Sequence, residues 1–374
     1  MPKISFVLPC RNEELALPFV LGQINEVIKK NDLDAEIIVS DSSSDKSPEI
    51  AKKFGVKLVK HDQIGYGRAY LEGFKAVTGD YVIIGDADGT YDFNYALAMI
   101  KHLDKGYDFV IGNRLKGKIS KDSMPWLHRY VGNPLLSWIL RLFFRGKVGD
   151  AHCGLRAIKK SAYDQMNLQT TGMEFASEML IKAIKLNFNI KEIPISYNIR
   201  KGESKLSSFQ DGWRHLRFML MYSPLFLFFF PGIFLFLFGI ISMIWFYLDS
   251  PLLFGVQLYF HPMFLSSTLI IIGYQLILFS AFAKTYAIIH FNEESIFMNH
   301  FFEFMTLERA CTFGLIFIGF GIGLPLLIIY DWINSGFKSI LEVKNLIVSL
   351  TFLVIGIQTI FSAFMLSIIA IKHK

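Results

Sequence analysis

Four long apolar runs, roughly 222–247, 263–289, 311–333 and 346–371, dominate the second part of this 374-residue chain. Each reaches the ~20 residues that a helix needs to cross a bilayer. The first, YSPLFLFFFPGIFLFLFGIISMIWFY, carries no charge at all. Pro231 and Gly232 inside it are tolerated in a membrane helix. Tyr222, Trp245 and Tyr247 stand at its ends, where aromatic belts form. Soluble cores seldom present four such runs in succession. The expected architecture over 218–374 is therefore an all-α transmembrane domain of four helices.

Charge divides the chain at the same place. From Phe218 onward there are about 6 Lys+Arg against about 7 Asp+Glu, so the whole of the net charge of +6 belongs to the earlier part. That part has the composition of a soluble domain with anionic partners. Arg200, Lys201, Lys205, Arg214 and Arg217 precede the first span, whereas the loop at 248–262 has no Lys or Arg. The positive-inside rule then places the N-terminal domain, and the C-terminus, on the cytoplasmic side. Cys10, Cys153 and Cys311 form neither a CxxC nor a zinc spacing, in keeping with a reducing compartment. MPKISFVLPCRNEE runs quickly into charges, unlike a secretory signal.

Residues 1–217 alternate short β-rich runs with helical patterns. The runs are KISFVL (3–8), AEIIVS (35–40), VKLVK (56–60), YVIIG (81–85) and DFVIG (108–112); helices are expected near 13–30, 47–54, 66–77 and 94–104. That alternation predicts an α/β domain with a mostly parallel sheet. Ser47, followed by Pro48 and Glu49, reads as a helix cap. In such sheets ligands bind beyond the carboxyl ends of the strands. The segments there are PCRNEE, DSSSDKS, DADGT and NRLKGK, all polar. No GxGxxG follows the first strand and no GxxxxGK[ST] occurs, which excludes the usual dinucleotide and P-loop devices. GYGRAY (65–70) reads as a glycine-bearing helix start.

Asp86 and Asp88 end an apolar run one residue apart. In extended chain, residues i and i+2 point the same way. Two carboxylates converging there suit a hard divalent cation, Mg2+ or Mn2+, which uses one or two protein carboxylates together with phosphates and water. The same text also reads as a solvated Asp-x-Asp turn, with Gly89 making the bend.

FVLPCRNEE, IIVSDSSSD, GYGRAYLEGFKAVTGDYVIIGDADGTYD, VIGNR, DAHCGLRAI and RKGESKL occur in that order over residues 3–217. In this the chain resembles glycosyltransferase family 2, specifically the polyprenyl-phosphate sugar transferases such as dolichol-phosphate mannose or glucose synthases. The resemblance implies a GT-A fold and inverting transfer of a sugar from a UDP- or GDP-linked donor to a polyprenyl or dolichyl phosphate. It places Pro9, Arg11, Glu13, Asp41 and Asp86 at the nucleotide-sugar, and the metal on Asp86 and Asp88. Arg114 falls near the phosphates, and Arg129, Arg200, Ser204 and Lys205 at the acceptor phosphate, where guanidinium groups bond bidentately and lysine adds charge. Thr90 stands where the mannose synthases carry a metal-binding glutamine, leaving the third ligand open. Glu178, in the region of the base that serves hydroxyl acceptors, is given only a positioning role, because a lipid phosphate is already anionic. His152 and Cys153 in AHCGL read as groups for packing and backbone contacts, with a metal site as the alternative reading. Segments 133–147 and 208–220, rich in Leu, Trp and Phe beside Arg141, Arg145, Arg214 and Arg217, suit helices lying in the bilayer surface. The implied partners are donor, acceptor and bilayer, with no nucleic acid and with oligomerisation open. The rivals are a processive polysaccharide synthase, whose QxxRW signature QDGWRHLR does not reproduce, and a channel or flippase-like protein with a nucleotide-sugar-binding domain.

Overall fold

Ile4–Cys10 (β1) is apolar almost throughout and buried on both faces, the signature of a central strand in a covered sheet. It pairs in parallel with Ala35–Asp41 (β2) on one side and Tyr81–Ile84 (β4) on the other. Lys57–Lys60 (β3) extends the sheet beyond β2. Phe109–Asn113 (β5) and Ile190–Pro194 (β7) form a further parallel pair. Between β4 and β5 lies Arg156–Lys159 (β6), antiparallel to both. The seven-stranded order is β3-β2-β1-β4-β6-β5-β7. The mostly parallel α/β sheet is therefore as expected. Strands β6 and β7 lie outside the five β-rich runs of the sequence; the RAIK of β6 is four residues long and has no alternation of its own.

The computed structural model describes residues 2–202, 208–253, 255–291, 305–337 and 342–371. It falls into two compact units, Met1–Tyr222 and Ser223–Lys374. Ser204 and Lys205 lie outside the described residues.

In the first unit the helices are Leu17–Lys30 (α1), Ser47–Lys53 (α2), Tyr66–Phe74 (α3), Tyr95–Asp104 (α4), Asn133–Phe144 (α5), Lys160–Met166 (α6), Phe175–Lys185 (α7) and Ser208–Met221 (α8). Helix α1 buries Leu17, Val20, Leu21, Ile24 and Val27, a 3.6-residue stripe against the sheet, and ends on Lys29 and Lys30, which favour its negative pole. Ser47 does not cap α2, because it lies inside the helix. The Asp45 carboxylate accepts from the Ser47 N–H at 3.0 Å instead, and Ser47 Oγ accepts from the Glu13 N–H at 3.0 Å.

The register explains where the site forms. Val7 is opposite Ile84 and Cys10 opposite Asp41, so the loops after β1, β2 and β4 emerge side by side at one sheet edge. The first two are laced together: Asn12 N–H donates to Ser43 Oγ (2.7 Å), Ser44 N–H to Asn12 Oδ1 (2.8 Å) and Glu14 N–H to Asp45 (3.0 Å).

The second unit holds Phe230–Leu248 (α9), His261–Phe291 (α10), Leu307–Asn334 (α11) and Val343–Ala370 (α12). Four helical stretches, Leu225–Leu248, His261–Ile289, Leu307–Asn334 and Val343–Ala370, are long and apolar enough to span a membrane. Between α10 and α12, Ser267 bonds Thr351 (2.7 Å), Tyr274 bonds Thr359 (2.6 Å) and Gln358 bonds Gln275 (2.9 Å). The partners advance together, as they must where two helices run parallel. Such bonds and small residues hold membrane helices together where lipid supplies no hydrophobic drive.

Candidate active site

Asp88 is buried just past β4. Its Oδ1 accepts from the Thr90 N–H (3.0 Å) and hydroxyl (2.6 Å), while Oδ2 accepts from Arg200 Nη1 at 2.9 Å. The other arm of Arg200, Nη2, reaches Glu13 Oε1 at 2.5 Å. One guanidinium thus bridges the loop after β1 and the loop after β4. The backbone follows suit, with Lys201 N–H donating to the Asp88 carbonyl and Asn198 N–H to that of Thr90, both at 2.9 Å.

Asp86 Oδ1 accepts from the Tyr66 hydroxyl at 3.0 Å. Burial, then the charge on Asp88, pushes the Asp86 carboxyl up to about 7, against the pull of Arg200 and Arg114. Two carboxylates crowded in a low-dielectric site favour a counter-cation. A Cβ on Gly154 would come to 2.9 Å from Asp86 Oδ2, so this oxygen keeps its room only because residue 154 is glycine. No group of three or more His, Cys, Asp or Glu able to hold a metal occurs among the described residues. An all-oxygen pair still fits Mg2+ or Mn2+ bound through phosphates and water.

On the neighbouring loops, Asp41 is fully buried. Ser43 Oγ donates to its Oδ1 at 2.5 Å, and its Oδ2 has no partner. A buried carboxylate oxygen without a donor is costly unless something else supplies one. Pro9 lies in β1 opposite Ser40, and Arg11 is exposed at the strand's end. Burial, then the Asp41 charge, pushes the Cys10 thiol up to about 12, so it is an uncharged packing group and not a nucleophile.

The remaining predicted residues have other partners. Arg114 is buried and engages Asp150 through Nε and Nη2, both at 2.8 Å, with the Tyr197 ring 5.3 Å away. Asp150 is 36 positions on in sequence, and no spacing signalled the pair. Glu178 is fully buried, accepting from the N–H groups of Gln169 and Thr170 and from the Thr170 hydroxyl, with Lys182 Nζ at 2.8 Å. It is committed to that loop. Arg129 lies in a π-helical turn, His128–Gly132, near the Tyr130 ring at 5.3 Å. His152 joins Ser177 and His215, and Cys153 Sγ points to the Leu155 carbonyl. Tyr66 carried no sequence signal beyond the glycines on either side of it.

The first unit thus carries paired acids and a bridging arginine at the carboxyl edge of a mostly parallel sheet, and the same chain carries four helical stretches of membrane-spanning length. Residues 5–166 match the family description "Glycosyl transferase family 2", and residues 281–370 match "Glycosyltransferase family 2 C-terminal transmembrane region". The low-salt glycan biosynthesis hexosyltransferase Agl6 of Haloferax volcanii is 38% identical over 368 residues, 98% of this chain and 88% of that protein. The dolichyl-phosphate hexose transferase of the same organism is 32% identical over 211 residues, 56% of this chain and 89% of that protein. The chain belongs to glycosyltransferase family 2, and it is a membrane protein. Among solved structures, glucosyl-3-phosphoglycerate synthase from Mycobacterium tuberculosis, determined with Mn2+, UDP and glucosyl-3-phosphoglycerate, is similar with a TM-score of 0.48 at 21% identity, over 59% of this chain and 80% of that one. Mannosyl-3-phosphoglycerate synthase from Rubrobacter xylanophilus gives a TM-score of 0.49 at 18% identity, over 58% and 73%.

Proposed function

We propose that the protein transfers a hexose from a UDP- or GDP-linked donor to a polyprenyl or dolichyl phosphate, with inversion, at the cytoplasmic membrane face. The observation that carries this reading is the Arg200 bridge between Asp88 and Glu13 at the sheet edge. A guanidinium able to bind an anion lies there against Asp88, one of two carboxylates able to bind a cation, which supports this reading. The likeness to the hexosyltransferase Agl6 over nearly the whole chain supports the hexose, and that to the dolichyl-phosphate hexose transferase over the N-terminal part supports the dolichyl phosphate.

Asp41, through its unpartnered oxygen, accepts from the nucleoside, and the laced loops at 11–14 and 42–46 wall that side. Asp86 and Asp88 would hold Mg2+ or Mn2+, which when bound offsets charge on the departing diphosphate. Arg200 then exchanges its carboxylates for the acceptor phosphate, together with Arg129 and, from outside the described residues, Ser204 and Lys205. Arg114, fixed by Asp150, adds standing positive potential that already reaches Asp86. These cations offset repulsion between two anionic reactants, and positioning supplies much of the rest. The lipid phosphate attacks the anomeric carbon from the face opposite the leaving diphosphate. No base is needed, which agrees with Glu178 being committed elsewhere.

The first unit also presents an apolar face. Trp126, Leu127, Tyr130, Leu135, Trp138 and Leu142, in and just before α5, are exposed, as are Phe209, Trp213 and Met221 of α8. Arg141, Arg145, Arg214 and Arg217 flank them. In this reading both helices lie on the bilayer and bring the site down to the lipid headgroup.

The test offers membranes containing the protein labelled UDP-glucose, GDP-mannose and UDP-N-acetylglucosamine with polyprenyl phosphate. Label should enter the lipid phase from one donor. Asp88→Ala should lower that transfer by roughly a hundredfold or more, the scale of losing one preorganised electrostatic contact. Near-normal transfer by this variant with divalent metal present would refute the assignment.

A further inference from the structure

Tyr66 opens α3, and its hydroxyl donates to Asp86 Oδ1 at 3.0 Å. The ring meets Tyr70 edge-on at 5.0 Å, and the fully buried Tyr70 stacks on Phe175 of α7 at 5.3 Å. The backbone at the start of α3 is fixed from the same direction. Gly67 N–H donates to the Gly172 carbonyl (3.2 Å) and Arg68 N–H to that of Thr171 (3.0 Å). The fit is tight: a Cβ on Gly65 would lie 2.3 Å from the Thr171 oxygen, and one on Gly67 2.3 Å from that of Thr170. Both contacts are with backbone, which cannot swing aside as a side chain can.

The loop at 169–172 is in turn held by Glu178, whose carboxylate takes two N–H groups and a hydroxyl from Gln169 and Thr170. Lys182 balances its charge. Glu178, the loop, the glycine-flanked helix start, Tyr66 and Asp86 therefore form one continuous series of contacts.

We propose that Tyr66 is a positioning residue for the cation site: it pins one oxygen of Asp86, while Glu178 acts on the same carboxylate at a distance by fixing the start of α3. This rests on the reading that Asp86 and Asp88 hold a divalent cation. Groups that hydrogen-bond a metal-ligating side chain orient it, and losing them typically costs 10–100-fold in metal affinity. Tyr66→Phe removes only the hydroxyl and keeps the ring against Tyr70.

The experiment titrates Mn2+ into the full-length protein in detergent, with UDP or GDP present, and follows free Mn2+ by electron paramagnetic resonance. Thermal unfolding is recorded for every variant. Tyr66→Phe should weaken Mn2+ binding about 10–100-fold with its unfolding midpoint near that of the wild type. Gly67→Ala, which keeps the Tyr66 hydroxyl but drives the helix start that carries it off the loop, should weaken binding as well. Wild-type Mn2+ affinity in Tyr66→Phe, with Asp88→Ala deficient, overturns the role of Tyr66 and leaves the cation site standing. Wild-type affinity in Asp88→Ala means that the acid pair is not the cation site, and both readings fall.

Discussion

Ser177 shows how one residue can tie three segments together. Its hydroxyl lies 2.8 Å from His215 Nδ1 on α8 and 3.3 Å from His152 Nε2 on the loop after Asp150, with the two imidazoles 4.3 Å apart. Burial, then the charge on Arg156, lowers His215 to about 4, and burial together with His215 lowers His152 well below its ordinary value. Both are neutral in the folded protein at pH 7. As pH falls, the unfolded chain takes up these protons first, near 6.5, so stability present above that value is lost on the way down to about 4. The slope is at most about 1.4 kcal/mol per pH unit for each such proton. The apparent unfolding midpoint in detergent, at fixed scan rate, should drop by several degrees between pH 7 and pH 5. His215→Asn, which can still bond Ser177 but cannot titrate, should show a smaller drop. An unchanged drop would remove His215 from the account.

Close approach of backbones sets the limits at the level of elements. Gly314 of α11 and Gly356 of α12 face each other: a Cβ on Gly356 would sit 2.7 Å from the Gly314 carbonyl oxygen, and one on Gly314 2.5 Å from Ile360. A large side chain must force the two helices apart. Gly356→Leu should therefore destabilise the protein by about 1–3 kcal/mol, the usual cost of overpacking, seen as a lower unfolding midpoint in detergent. Gly319→Leu is the control, because nothing lies within 4 Å of its Cβ position. Equal midpoints for the two variants would contradict this packing. Strand β6 poses a different problem at the same scale. Arg156 at its start is almost fully buried and donates to the carbonyls of Ala151, Cys153 and Ala176. Its strand-like character comes from its neighbours β4 and β5, which supply partners on both sides.

Across the whole molecule, the proposed orientation follows from the cations before the first span and their absence from the 248–262 loop. In a chain with Cys311 replaced by serine, Ser250→Cys should react with a membrane-impermeant maleimide in intact cells, and Lys118→Cys only after lysis. The opposite pattern would invert the topology. The four spans, the parallel strands and the acid pair at a strand end were legible because each depends on a residue's own transfer energy or on spacing within one element. Hydropathy and periodicity are local, so a linear reading captures them. Arg200 meeting Asp88 across 112 positions, Arg114 meeting Asp150 across 36, and Tyr66 meeting Asp86 across 20 were decided by the fold alone. A hydrogen bond needs its two groups within about 3 Å, and only the strand register and the packing of loops upon it bring such distant positions together.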